Sequence, residues 1–261
     1  MDLGLDGKVV LVTAASRGIG LACARAFLDE GAAVAINARD EAGLAAAAKQ
    51  LGERGRVTYH PADLSSEADT ARLLAAVEHA HDRLDVLVSN TGGPTLAPVL
   101  DTTLDDWATA YQLLLRPAVQ LAQGAAQRMT AHGSGSIVFL TSTWVKQPKA
   151  GGVLSAAMRS GVAALSKQLA LELAPQGVRV NQVLPGAVAT DRMRAVAMAA
   201  ARRNGTSEET ELQKMVADIP LARWGTPEEI AAAAVFLASP RSGFTTGASL
   251  QVDGGLVRFT L

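Results

Sequence analysis

The sequence predicts an α/β protein with a single doubly wound, Rossmann-type parallel sheet of about seven strands and helices on both faces, and three observations carry that prediction. Short apolar or β-branched runs alternate with longer Ala- and Leu-rich segments along the whole chain. The first run, residues 9–13, passes directly into a glycine turn, Thr13-Ala14-Ala15-Ser16-Arg17-Gly18-Ile19-Gly20, and then into the helix-forming stretch 21–28. The chain has 261 residues, 49% of them hydrophobic, which is enough for one sizeable core and short for two independent domains. One domain over residues 1–261 is therefore expected. Alternation implies parallel pairing because parallel strands need crossover connections.

The strand runs fall at residues 9–13, 33–37, 57–59, 86–89, 137–141, 178–183 and 250–252. Helices are expected to begin near Gly18, Glu41, Ser66, Thr103, Ser155 and Pro227. Thr226-Pro227-Glu228-Glu229 supplies a capping hydroxyl, a proline in the first turn and two acids at the positive end of the dipole. Residues 190–218 are rich in Ala, Met, Arg and Glu and carry an Asn204-Gly205 break. They read as an inserted helical pair, either a substrate lid or simple crossover packing.

Composition excludes several roles. With 24 Lys and Arg against 25 Asp and Glu the net charge is −1, which gives no electrostatic footprint for nucleic acid. The apolar run 231–238 is far below membrane-spanning length. The single cysteine, Cys23, cannot form an internal disulfide and reads as a small core filler. Asp2 and Asp6 stand where a signal peptide carries positive charge, so the cytoplasm is the expected address. The histidines, His60, His79, His81 and His132, are scattered, and no metal site is expected.

The glycine turn is the first chemical signal. Backbone N–H groups at such a turn, together with the positive end of the following helix, suit a pyrophosphate, which points to a dinucleotide. The second strand run leads into Ala38-Arg39 with no acid before Asp40, and Arg17 lies inside the turn. Two arginines where an adenosine 2′-phosphate would lie favour NADP(H) over NAD(H), although Asp40 could pair with Arg39 and offset it.

The ordered series TAASRGIG, Asp63-Leu64, Ser89-Asn90-Thr91-Gly92, Asn181 with Leu184-Pro185-Gly186 and Thr190, then Val252-Asp253-Gly254-Gly255, resembles the short-chain dehydrogenase/reductase superfamily over nearly the whole chain, and within it the 3-oxoacyl-acyl-carrier-protein reductases. The resemblance implies cofactor contacts from Thr13, Ser16, Arg17, Gly18, Ile19, Gly20 and Arg39. It adds Asp63 and Leu64 at the adenine, Asn90 and Gly92 behind the ribose, Arg159, and Pro185, Gly186, Val188 and Thr190 at the nicotinamide. It also implies a small-molecule substrate and a homodimer or homotetramer, with interfaces on the helices after Thr103 and Ser155 and on residues 252–261.

For catalysis the resemblance implies a serine, a tyrosine and lysine four residues apart on one helix face, and an asparagine that supports a water relay. Ser142 matches the serine. Thirteen residues later the tyrosine position holds Ser155, the lysine position holds Arg159, and the asparagine position falls on Leu114. A serine hydroxyl is a far weaker acid than a phenol, whose reference pKa is about 10. Arg159 keeps the positive charge. Tyr111 and Lys146 are weak candidate stand-ins for the lost acid; core packing is the favoured reading of Tyr111 and a solvated loop charge that of Lys146. Trp107, Trp144 and Trp224 read as packing anchors, with Trp144 close enough to Ser142 to wall a substrate pocket. Two readings stay open: an oxidoreductase passing a hydride between nicotinamide and a carbonyl or secondary alcohol through an atypical Ser142, Ser155 and Arg159 site, and a cofactor-binding sensor or structural protein with little turnover.

Overall fold

A computed structural model describes residues 2–259. Seven strands form one parallel sheet: β1 (Val9–Val12), β2 (Ala33–Ala38), β3 (Val57–Pro61), β4 (Val86–Ser89), β5 (Gly135–Leu140), β6 (Val178–Pro185) and β7 (Ser249–Val252), in the spatial order β3-β2-β1-β4-β5-β6-β7. The order reverses at β1/β4, the switch point where open α/β sheets bind ligands beyond their carboxyl ends.

Strand alternation builds a core on each face. Val10, Val12, Val34, Ile36, Val86, Val88, Val138 and Leu140 point to one side, against α1 (Gly18–Asp29), α2 (Glu41–Gly52) and a late helix, Pro227–Ala238. Leu11, Ala35, Leu87, Ile137, Phe139 and Val180 point to the other, against α3 (Glu67–His81), Arg116–Ala131 and Val153–Leu173. Both faces are covered, as the near-continuous apolar strands require. Cys23 lies on α1 with no exposed surface, and burial pushes its thiol up to about 12.

One helix departs in form from the sequence reading, and another starts two residues early. The one expected near Thr103 runs as α4 (Leu104–Ala110), a π-helical turn (Tyr111–Leu115) and α5 (Arg116–Ala131). The wide turn directly precedes Pro117, which has no N–H to offer a carbonyl four residues back. The helix expected near Ser155 is α6 (Val153–Leu173), so Ser155 sits in its first turn, not at its start. The inserted pair is present as α7 (Asp191–Asn204) and α8 (Glu208–Ala217), divided at Gly205 with φ +64°. Glu211 locks that hairpin by accepting from Thr206 at 2.7 Å, Lys214 at 2.8 Å and Asn204 at 3.4 Å. The last helix, α9 (Pro227–Ala238), opens with a full capping box between Thr226 and Glu229. At its other end Arg179 of β6 donates to the carbonyls of Leu237, Ala238 and Ser239 and to those of Ser242 and Thr245.

Candidate active site

The site is assembled at the carboxyl ends of the strands. After β1 the chain turns through Ala14, held at φ +49°, and enters α1 at Gly18, whose φ is +58°. Gly20 is required here, since a side chain on it would collide with the carbonyl of Ala14. A Cβ on Gly18 would stand 3.6 Å from the Thr190 methyl, so the glycine turn and the start of α7 face each other. On the far side Gly186 leaves the backbone of Asp253 room to approach, where a Cβ would come within 2.7 Å.

Several of the expected residues act by positioning. Thr13 is wholly buried; its hydroxyl donates to the Asn90 carbonyl at 2.7 Å and accepts from the Asn90 N–H at 2.9 Å, tying the ends of β1 and β4 together. Asp63 accepts on one carboxylate oxygen from the Ser65 N–H and hydroxyl, at 2.9 and 2.8 Å. Leu64 is buried beside it and Val188 beneath the start of α7. Arg17 and Arg39 are exposed, Ser16 is half-buried, and neither arginine forms an ion pair among the described residues. Asp40 is not a partner for Arg39. Its carboxylate caps α2, accepting from the Gly43 N–H at 3.2 Å.

The remaining residues meet where β5 ends. Ser142 follows the strand, and its hydroxyl accepts from the Trp144 N–H at 3.2 Å. Ser155 lies on the first turn of α6 and is nearly buried. Four residues further along the same helix face, Arg159 donates to the Leu140 carbonyl at 3.0 Å and, with its other terminal nitrogen, to the Gly92 carbonyl at 3.1 Å. One guanidinium thus joins β5, α6 and the loop after β4. Burial, and secondarily the charge of Arg192, push it down to about 10, so it remains a cation at neutral pH.

Leu114 is buried in the π turn, which packs against α6. The substitutions are physically consistent with one another. An arginine fork reaches two carbonyls directly, without a water or an asparagine to hold it. Of the two candidate stand-ins, Tyr111 is 45% exposed and Lys146 donates to Gln251 at 3.5 Å. The Trp144 ring lies over Gly152, leaving no room for a side chain there, and lines a cavity of about 240 Å³ with Thr143, Gln147, Lys149, Asp218 and Arg258. His60 and His81 share the Thr58 hydroxyl at the outer edge of the sheet, away from this region.

One residue of the site escaped the sequence reading. Arg192, in the first turn of α7, donates to the Pro94 carbonyl at 2.6 Å, and its guanidinium lies against Gly93. The Thr190-Asp191-Arg192 string contains the signal, but its meaning depends on the loop after β4 that α7 covers.

Comparison with known proteins agrees with this architecture. A family model described as Enoyl-(Acyl carrier protein) reductase matches residues 13–257. The chain belongs to the short-chain dehydrogenase/reductase family of oxidoreductases. It is 34% identical to a 3-oxoacyl-[acyl-carrier-protein] reductase of Chlamydia pneumoniae over 257 residues, 98% of this chain and 99% of that one. It is 36% identical to D-threitol dehydrogenase of Mycolicibacterium smegmatis over 255 residues, covering 97% and 94%. The structure of L-sorbose reductase from Gluconobacter frateurii, complexed with NADPH and L-sorbose, superposes with a TM-score of 0.94 at 31% identity, covering 99% of this chain and all of that one. A 7α-hydroxysteroid dehydrogenase complexed with NADH superposes at 0.89 with 28% identity, covering all of this chain and 98% of that one. These two structural neighbours thus hold different nicotinamide cofactors. Among the described residues no helix is long and apolar enough to cross a membrane.

Proposed function

We propose that the protein is an NADP(H)-dependent oxidoreductase acting on a carbonyl or secondary alcohol of a small molecule, with 3-oxoacyl compounds among the candidate substrates. The observation that carries this reading is the Arg159 fork, which stands on α6 at the family's lysine position and grips Leu140 and Gly92. The cradle fits a dinucleotide. Gly18 and Gly20 would admit its pyrophosphate, the unused oxygen of Asp63 would face the adenine, Asn90, Gly92 and Arg159 would border the ribose, and Pro185, Gly186, Val188 and Thr190 would border the nicotinamide. The preference for NADP(H) rests on the unpaired Arg17 and Arg39 and on the diversion of Asp40 into a helix cap.

When bound, the nicotinamide gives or takes the hydride. Ser142 orients the substrate oxygen, Arg159 stabilises the negative charge that develops on it, and the Ser155 hydroxyl is the polar group nearest in sequence and helix face to carry a proton. Trp144 and the neighbouring cavity receive the rest of the substrate, and α7 and α8 close over it as a lid. The exposed Leu100, Leu104 and Tyr111 around α4, and Leu171 on α6, support a homodimer or homotetramer. Thr260 and Leu261, at the end of the C-terminal segment expected at an interface, lie outside the described residues.

A second reading is favoured by one observation. Ser155 has replaced the phenol and a buried Leu114 the asparagine, which suits a cofactor-binding sensor or structural protein. Fluorescence titration with NADPH and NADH, followed by a carbonyl panel on the same sample, separates the two. Tight NADPH binding with turnover supports the enzyme, and binding without turnover supports the sensor. A monomeric mass by light scattering would overturn the oligomer.

A further inference from the structure

Arg159 and Arg192 approach the loop after β4 from opposite elements, α6 and α7. Arg159 donates to Gly92 and Arg192 to Pro94, so the two guanidinium groups flank a three-residue segment. Gly93 between them makes the approach of Arg192 feasible, because a Cβ there would lie 2.5 Å from its Nε and Nη2. Neither arginine has a carboxylate partner among the described residues, although nine other Lys or Arg to Asp or Glu pairs are present. Burial lowers the pKa of both groups, and the charge of Arg192 contributes to lowering that of Arg159.

Arg159 is half-buried and Arg192 exposed, so the two cations are only partly desolvated; held on either side of one short segment they still repel, and neutral carbonyls compensate only part of that cost. Each fork has five N–H donors, of which Arg159 spends two and Arg192 one on these carbonyls. Donors are left over at a place where charge is left over.

We propose that Arg159 and Arg192 form an oxyanion-binding pair over Gly92-Gly93-Pro94, which receives a carboxylate or phosphate group at the mouth of the site. The group can come from the substrate, making this an enzyme for an anionic carbonyl compound, or from the cofactor's pyrophosphate. The inference deepens the oxidoreductase reading in naming a substrate class but stands on the arginine geometry alone.

The test starts with inorganic phosphate as the probe and thermal stability of the cofactor-free protein as the readout. Phosphate should raise the wild-type melting temperature and lose at least about tenfold in apparent affinity in Arg192→Gln, with Arg192→Lys intermediate. Gly93→Ala, which keeps both charges but displaces the Arg192 fork, should resemble Arg192→Gln; circular dichroism confirms that each variant is folded. NADPH titration and paired keto acids with their methyl esters then identify the source. A substrate site predicts unchanged NADPH affinity and loss of the acid-over-ester preference in Arg192→Gln. A cofactor site predicts NADPH and ADP-ribose weakened alike, with acid and ester affected equally. Phosphate binding that is equal in wild type, Arg192→Gln and Gly93→Ala, or absent from all three, overturns the pair. Phosphate binding lost in the variants by a protein that binds no nicotinamide nucleotide would leave the pair standing and remove the oxidoreductase reading instead.

Discussion

Arg159 holds the carbonyl of Leu140 at 3.0 Å, so the second turn of α6 is fastened to the last residue of β5, two residues before Ser142. The same side chain holds Gly92 at 3.1 Å, and a lysine could hold only one of the two with comparable geometry. Arg159→Lys should leave the fold intact and weaken NADPH by about tenfold, the value of one charge-assisted hydrogen bond of roughly 1.5 kcal/mol. Fluorescence titration measures it. Restoring the phenol as well, in Ser155→Tyr with Arg159→Lys, should raise carbonyl reduction by about 10²- to 10⁴-fold if the loss of a general acid limits the rate. An unchanged rate would show that the native site obtains its proton elsewhere.

Cofactor choice should follow Arg39. Arg39→Asp removes one of the two unpaired cations and supplies an acceptor at the end of β2, so NADPH affinity should drop at least about tenfold while NADH affinity holds or improves. Equal losses for both nucleotides would move the 2′-phosphate site away from β2.

The glycines of the site should respond unequally. Gly20→Ala drives a methyl group into the Ala14 carbonyl and should abolish nucleotide binding and lower the melting temperature. Gly92→Ala meets nothing within 4 Å and should leave the melting temperature unchanged, within the equivalent of about 0.5 kcal/mol. A common loss in both would mean that the two loops move together.

The helical pair α7 and α8 should carry its own acid sensitivity. Hydrogen bonds from Lys214, Thr206 and Asn204 hold the Glu211 carboxyl down at about 2, below its ordinary value of 4.5. A carboxyl depressed in the folded state stabilises it above the unfolded value, and that contribution is lost as pH falls from about 4.5 towards 2. Hydrogen exchange in α7 and α8 should therefore rise over that interval before exchange in the sheet does, and Glu211→Gln should remove the dependence.

Arg179 should be worth more to stability than any surface ion pair. Truncation to Met strands the carbonyls of Leu237, Ala238 and Ser239 at the end of α9 and removes the donor to Ser242 and Thr245 in the loop that leads to β7, costing about 3 kcal/mol. For a chain of this size the melting temperature should fall by about 6–12 °C, measured by calorimetry.

The sheet was legible because the five central strands carry apolar residues on both faces, the pattern of a doubly covered parallel sheet, whereas the edge strands β3 and β7 alternate apolar with polar residues. All seven runs lie within two residues of the observed strands. Ser142 and Ser155 were singled out by spacing, since an offset of 13 positions survives changes of side chain. The cap formed by Asp40 was available in Asp40-Glu41-Ala42-Gly43, but proximity in sequence suggested Arg39 as its partner instead. The π turn was not legible, because Pro117 announces a missing donor without stating how the preceding turn adjusts. Arg192 was hidden for a different reason. Its importance lies in the glycine 99 residues earlier that lets it in, and no local pattern links the two.

The isolation of Cys23 makes the molecule convenient to instrument. Its thiol is enclosed in α1 and about 12 in pKa, so alkylating reagents and maleimide dyes will pass it by at neutral pH. A cysteine introduced on the exposed side of α7 would then be the only labelled position. Opening and closing of the helical pair could be followed by fluorescence without first removing the native residue from the core.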